Sequence, residues 1–296
     1  MAEAAKRGGL FTTTADIRRA TLPRGRYSNK YSNGSVLVLG GSRVYTGAPA
    51  LSAACSNAAL AALRTGTGYT NLLVSRSVER LEKSRSAVLT VRSFSESAGS
   101  VALLRAIGAV VHNVLVVGPG IEPRGLVAGS ISNIMSWESG KGNRVVLDAG
   151  AMQAALRRGT KLTTDVIMTP HSGEFTRLGY SVSDDLDDRM EKAVEFAERY
   201  SCTLVLKGHD TVITDGASVK VNRARTPALA TMGTGDVLAG MIAAYAASGA
   251  PSFESAVAGV TAHSMIGDLL HRRMGNHIIA TDLIDAIPSF LKRFDR

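Results

Sequence analysis

A chain of 296 residues with 45% hydrophobic and 20% charged side chains is too apolar for intrinsic disorder, and long enough for one large domain or two small ones. Its two cysteines, Cys55 and Cys202, exclude a disulfide scaffold and fit a reducing, cytoplasmic setting. No run of about 18 apolar residues is present to span a membrane, so no membrane partner is expected. Thirty-four Lys and Arg against 25 Asp and Glu give a net charge of +9. Lys6, Arg7, Arg18, Arg19, Arg24, Arg26 and Lys30 against Glu3 and Asp16 place +5 of it in residues 1–30. That segment lacks the aromatic platform of a nucleic-acid binder and the apolar run of a secretory signal, so it reads as a solvated basic leader.

In chain order, Ser35–Leu39 reads as a buried strand and Ala48–Thr65 as a small-residue helix starting at Pro49. Strands follow at Tyr69–Val74, Ala87–Val91 and Val114–Val117, with a helical segment around Ser97–Ile107 between the last two. Further strands fall at Arg144–Asp148, Asp165–Thr169 and Thr203–Lys207, separated by helices over about 124–136 and 184–200. Strands alternating with helices predict an α/β fold with a mostly parallel sheet covered on both faces. Thr211–Thr214 and Ser218–Val221 flank Asp215-Gly216, which predicts a type I′ hairpin adding an antiparallel pair at the sheet edge. Helices over about 235–248, 253–270 and 281–293 close the chain. No internal repeat or linker divides it, so residues 31–296 are expected to form a single domain behind the leader.

The strongest local signal is Met232-Gly233-Thr234-Gly235-Asp236, a glycine-flanked turn running into a helix. The amides of Gly233, Thr234 and Gly235 would form an anion hole at that helix start. Asp236, in the first turn, is placed to accept a proton; the bland alternative is that it only offsets the helix dipole. Gly40-Gly41 and Gly118-Pro119-Gly120 are glycine turns after strands, but neither matches a dinucleotide fingerprint or a Walker A loop. Asp148, His171 and Lys207 each end or follow a strand. Such strand ends converge on one edge of a parallel sheet, where ligands bind. Lys207 either meets phosphate oxygens or is a solvated strand end, and Gly208 lets the backbone come close.

The order Gly40-Gly41-Ser42 to Tyr45-Thr46-Gly47-Ala48-Pro49, Val117-Gly118-Pro119-Gly120, Val146-Leu147-Asp148-Ala149, Thr169-Pro170-His171-Ser172-Gly173-Glu174, Leu206-Lys207-Gly208 and Gly233-Thr234-Gly235-Asp236 resembles the ADP- or ATP-dependent NAD(P)H-hydrate dehydratases of the ribokinase-like superfamily. The likeness runs from about Leu22 to the C-terminus. It includes the leader, where Thr14-Ala15-Asp16-Ile17 resembles a short helix ahead of the first strand. It implies a nucleotide-repair lyase that phosphorylates the hydroxyl of S-form hydrated NADH or NADPH and expels it as phosphate, leaving AMP when ADP is used. The resemblance places Ala48, Gly120, His171 and Asp236 on the hydrated nucleotide, and Lys207, Gly208, His209, Asp210, Thr211 and Gly235 on ADP. Asp236 with Gly233, Thr234 and Gly235 would be the catalytic set. It also implies Mg²⁺ on the phosphates, with no assigned protein ligands, and a homo-oligomer, for example a tetramer. The chain departs from the family at Gly150 and Gln153, where Asp and Asn are usual, and at Val44, Ser172, Met232 and Ala224-Arg225-Thr226-Pro227. A thirty-residue leader leaves no room for the epimerase domain of some relatives, so action on one epimer is expected. The alternative is a ribokinase-like kinase phosphorylating a vitamin precursor.

Overall fold

The apolar β-branched runs become the middle strands of one nine-stranded sheet in the computed structural model, which describes residues 9–41, 49–121, 125–223 and 226–295. In chain order the elements are α1 (Thr14–Ala20), β1 (Ser35–Gly40), α2 (Pro49–Thr65), β2 (Tyr69–Ser75), α3 (Glu79–Arg85) and β3 (Thr90–Phe94). Next come α4 (Gly99–Gly108), β4 (Val114–Val117), α5 (Leu126–Gly140), β5 (Arg144–Leu147), α6 (Gly150–Arg157), β6 (Val166–Met168) and α7 (Ser172–Arg177). The chain continues through α8 (Leu186–Tyr200), β7 (Thr203–Leu206), β8 (Asp210–Thr214), β9 (Val219–Arg223), α9 (Thr234–Ala247), α10 (Ser252–Met274) and α11 (Ala280–Leu291). The sheet order is β3-β2-β1-β4-β5-β6-β7-β8-β9, parallel from β3 to β7 and antiparallel for β8 and β9.

Every β1 residue is buried, because helices cover both faces. Leu37 and Leu39 point into a core with α4, α5, α6 and α8, whereas Val36 and Val38 meet α2, α9 and α10 on the other face. Each such side chain contributes about 1.5–3 kcal/mol through removal from water. α2 is built from alanines because α9 presses closely on it. A Cβ at Gly240 of α9 would stand 2.1 Å from the Ala58 carbonyl oxygen, a backbone atom that cannot step aside. Gly240→Ala is therefore expected to lower stability by about 1–3 kcal/mol, read as a drop in urea midpoint. An unchanged midpoint would contradict this packing.

Beyond shifts of one or two residues at strand ends, the structure differs from the sequence reading in three places. β3 starts at Thr90 rather than Ala87, because exposed Val88 belongs to the approach and the strand itself is a polar edge. The β8–β9 connection is not a type I′ turn. Thr214 pairs with Val219 and leaves four residues between the strands, of which only Gly216 has positive φ. The Asp215 carboxylate shapes that turn by accepting from the amides of Ala217 and Ser218 at 3.0 and 2.7 Å. Finally, residues 10–20 of the basic leader are docked rather than solvated. Phe11 bridges Val221 on β9, α1 packs against α10, and Asp16 forms a buried ion pair with Lys220 at 3.3 Å.

Candidate active site

The carboxyl ends of the parallel strands deliver the polar residues to one edge. After β5 the chain turns sharply into α6, with Ala149 held at φ 47°, ψ −130°, a strained conformation for a residue with a Cβ. That turn fixes Asp148, which is 4% exposed. Gly118, at the end of β4, crosses so close that an added Cβ would lie 1.9 Å from the Asp148 carbonyl oxygen. Gly150 opens α6 where the family pattern carries a second Asp. The Thr169 hydroxyl donates to Asp148 Oδ1 at 2.7 Å, and Lys207 Nζ approaches the same oxygen at 3.4 Å. Lys207 also lies 4.0 Å from Glu174 Oε2, and its amide donates to the Pro170 carbonyl at 2.8 Å. Lys207 is thus an ion-paired strand end and not a solvated one.

α8 supplies a residue that pins this edge. Buried Arg189 donates to the carbonyls of Leu206, Lys207 and Asp210 at 3.2–3.3 Å, and to the Ser172 hydroxyl at 3.0 Å. The Ser172 departure from proline therefore gives the guanidinium an acceptor. His171 caps α7, its Nδ1 accepting from the amides of Gly173 and Glu174 at 3.0 and 3.3 Å. An imidazole nitrogen that accepts leaves Nε2 to carry the hydrogen.

Opposite these groups, Gly233 turns the chain at φ 90° into α9. The Thr234 hydroxyl ties the turn down by sharing its one hydrogen between the carbonyls of Leu229 and Thr231, at 2.7 and 2.8 Å. A Cβ on Gly235 would lie 3.5 Å from Lys207 Nζ, so the ammonium sits beside the positive end of the helix dipole. Asp236 follows in the first turn. Burial raises its pKa to about 7, the nearby Asp148 carboxylate adds to the rise, and Lys207 opposes it. Its charge also reaches Cys55, whose thiol, buried and pushed well above its ordinary pKa, donates to the Pro119 carbonyl at 3.0 Å next to Gly120.

The structure therefore brings Asp236, Gly233, Thr234, Gly235 and Lys207 together, with Gly120 reached through Cys55 and His171 on the neighbouring strand end. Gly208 and Thr211 close a small turn, the Thr211 hydroxyl donating to the Gly208 carbonyl at 3.0 Å. His209, with its side chain 78% exposed, stands apart and borders a cavity of about 590 Å³ walled by Phe11–Thr14, Asn222, Arg223, Thr261 and Met265. Asp210 turns to Arg223 at 3.0 Å. Ala48, Val44 and the other residues of 42–48 lie outside the described residues, as do Ala224 and Arg225. Asp148 stands out in sequence only as a strand-end acid, and Glu174 only as the last residue of the Thr169–Glu174 motif, which the structure puts in the first turn of α7. Arg189 and His263 carry no sequence signal, because each acts from a helix distant along the chain.

With Asp236 as the base, its pKa of about 7 would set a pH dependence. kcat/KM is expected to fall tenfold per unit below pH 7 as Asp236 takes up a proton. Asp148→Asn removes a neighbouring negative charge and should move that limb to lower pH. A limb that stays in place in Asp148→Asn would contradict the electrostatic arrangement.

The description NAD(P)H-hydrate dehydratase belongs to the family whose profile matches residues 36–289. The chain is 31% identical to an ADP-dependent (S)-NAD(P)H-hydrate dehydratase of Cenarchaeum symbiosum over 95% of this chain and 96% of that one. It is 32% identical to a bifunctional NAD(P)H-hydrate repair enzyme of Pyrobaculum aerophilum over 96% of this chain, and spans 56% of that enzyme's length. Among solved structures, the ADP/ATP-dependent NAD(P)H-hydrate dehydratase from Bacillus subtilis, co-crystallised with ATP and Mg²⁺, superposes with a TM-score of 0.80 at 30% identity, covering 98% of this chain and all of that one. A ribokinase-like superfamily protein from Enterococcus faecalis shares the fold, with a TM-score of 0.83 at 24% identity over 98% of this chain and 97% of that one. The chain belongs to the NAD(P)H-hydrate dehydratases, hydro-lyases carried here on a ribokinase-like α/β fold.

Proposed function

We propose that this chain dehydrates the S-form hydrate of NADH or NADPH back to the reduced cofactor, with ADP, or ATP in its place, as phosphoryl donor. The observation that carries this reading is the placement of Asp236, a carboxylate with a pKa of about 7 beside both an amide-lined helix start and Lys207. Asp236 takes the proton from the ring hydroxyl, whose oxygen attacks the terminal phosphorus. The bond to the AMP leaving oxygen breaks as the new P–O bond forms. Phosphate then leaves, expelled by the ring nitrogen lone pair, and loss of a ring C–H proton restores the dihydronicotinamide. The Gly233 and Gly235 amides hold the charge on the transferring group, a preorganised role that needs no solvent rearrangement. The Thr234 amide, expected from the sequence to join them, donates instead to the Thr231 carbonyl at 3.3 Å.

In the same reading Gly120, His171 and Ala48 hold the hydrated nucleotide, while Lys207 to Thr211 and Gly235 hold ADP. The cavity of about 590 Å³ beside His209 has the size for its nucleoside. Among the described residues no group of three acidic, histidine or cysteine side chains is arranged to grip a metal. Magnesium fits here as an ion brought by the phosphates, which supply most of its ligands, with Asp148 and Glu174 the nearby carboxylates. Bound there, it would neutralise phosphate charge. We further assign the enzyme to the cytoplasm, on its two buried free thiols, and expect a homo-oligomer without nucleic-acid partners. Among the described residues no helix is long and apolar enough to cross a membrane. Phosphorus NMR of the reaction with ADP checks the proposal, AMP and free phosphate being expected in equal amounts. A stable phosphorylated product would instead identify a kinase.

A further inference from the structure

We infer that His263 is a positioning residue that aims and polarises the Gly235 amide toward the transferring phosphate; this rests on the assignment of that amide to the phosphate under the proposed function. His263 lies on α10, is 8% exposed, and places Nε2 2.9 Å from the Thr234 carbonyl oxygen. A carbonyl only accepts, so Nε2 carries the hydrogen and donates. Burial, opposed by the bond to the Thr234 carbonyl and aided by the nearby positive charge of Lys207, lowers the imidazole pKa to about 4, so the ring is neutral at working pH.

The carbonyl of Thr234 and the N–H of Gly235 are the two ends of one planar peptide unit. A hydrogen bond into the oxygen draws electron density away from the nitrogen and strengthens its N–H as a donor. It also fixes the tilt of the peptide plane, and hence the direction in which the Gly235 N–H points. No other side chain on the turn does this: the Thr234 hydroxyl is committed to the carbonyls of Leu229 and Thr231. The peptide unit stands against Lys207, since a Cβ on Gly235 would come within 3.5 Å of Nζ. His263 therefore reaches the reacting phosphate through the backbone while touching neither substrate.

The test compares His263→Leu, which fills the space without a donor, with His263→Gln, whose amide nitrogen takes the place of Nε2. In ¹H–¹⁵N spectra of the full chain, the Gly235 amide proton should move upfield in His263→Leu and stay near its wild-type position in His263→Gln. For dehydration, kcat should fall roughly tenfold in His263→Leu with a smaller change in KM for ADP, a fraction of the effect of deleting one anion-hole donor, and should recover in His263→Gln. A Gly235 shift that is unmoved in His263→Leu, a glutamine variant as impaired as the leucine variant, or loss of the fold in both would overturn the proposal. If the wild-type chain does not dehydrate the hydrate, the functional reading fails, while the amide shift still decides the role of His263.

Discussion

Asp236→Asn is expected to reduce kcat by about 10³-fold or more and, at neutral pH, to raise the melting temperature. The loss follows from removing the only described carboxylate in the first turn of α9, since an amide cannot take the proton from the ring hydroxyl. The gain follows from the same burial. The carboxyl has a pKa near 7 in the folded chain against an ordinary 3.8, so the folded state holds its proton more tightly than the unfolded state does. Below about pH 4 the group is protonated in both states and costs nothing. Between about 4 and 7 the unfolded chain ionises first and stability falls, and above 7 the full penalty, on the order of a few kcal/mol, remains. Asparagine carries no such penalty. Steady-state assays and thermal melts at pH 8 check both halves. An Asn variant that is active, or one that melts earlier than wild type, would contradict this account of the site.

Lys207→Met is expected to cost about 10²–10³-fold in kcat/KM and to move the acidic limb of the pH profile upward. The ammonium lies 3.4 Å from Asp148, 4.0 Å from Glu174 and beside Gly235, and its charge opposes the rise in the Asp236 pKa. Without it Asp148, Glu174 and Asp236 lose the ammonium that stands beside them, so Asp236 holds its proton to higher pH. Phosphate charge also loses a direct partner. Asp148, with its side chain 6% exposed, would among the described residues keep its bond from Thr169 alone, so part of the loss should appear as lowered stability, about 1–3 kcal/mol. A methionine variant with a wild-type pH profile would show that Lys207 does not act on Asp236. Opposite movements of the limb in Lys207→Met and Asp148→Asn would tie both groups to the same base.

Much of the α/β framework was legible because buried parallel strands are short uninterrupted runs of Val, Leu and Ile. Val114–Val117 is such a run, and so is Thr203–Leu206, which the sequence reading extends by one residue to Lys207. The start of β3 is not legible, because an edge strand packs one partner and needs little apolar character, which leaves exposed Val88 as the stronger local signal. The short helices α3, α6 and α7 were not distinguished, since seven, eight and six residues give too few turns for a helical period. In the site, the glycine turn ahead of Asp236 is legible because it opens a helix, and the lysine because it follows a buried apolar strand. The association of Lys207 with Asp148, and the braces from Arg189 and His263, are products of the sheet order. Asp148 and Lys207 stand 59 positions apart and meet only because β5, β6 and β7 are neighbours.

The most direct measurement is the recovery of the NADH absorbance band when the purified protein is mixed with S-form NADH hydrate, ADP and Mg²⁺. The proposed chemistry predicts recovery that requires the nucleotide and is abolished in Asp236→Asn. No recovery with either ADP or ATP, or full recovery in Asp236→Asn, would contradict it.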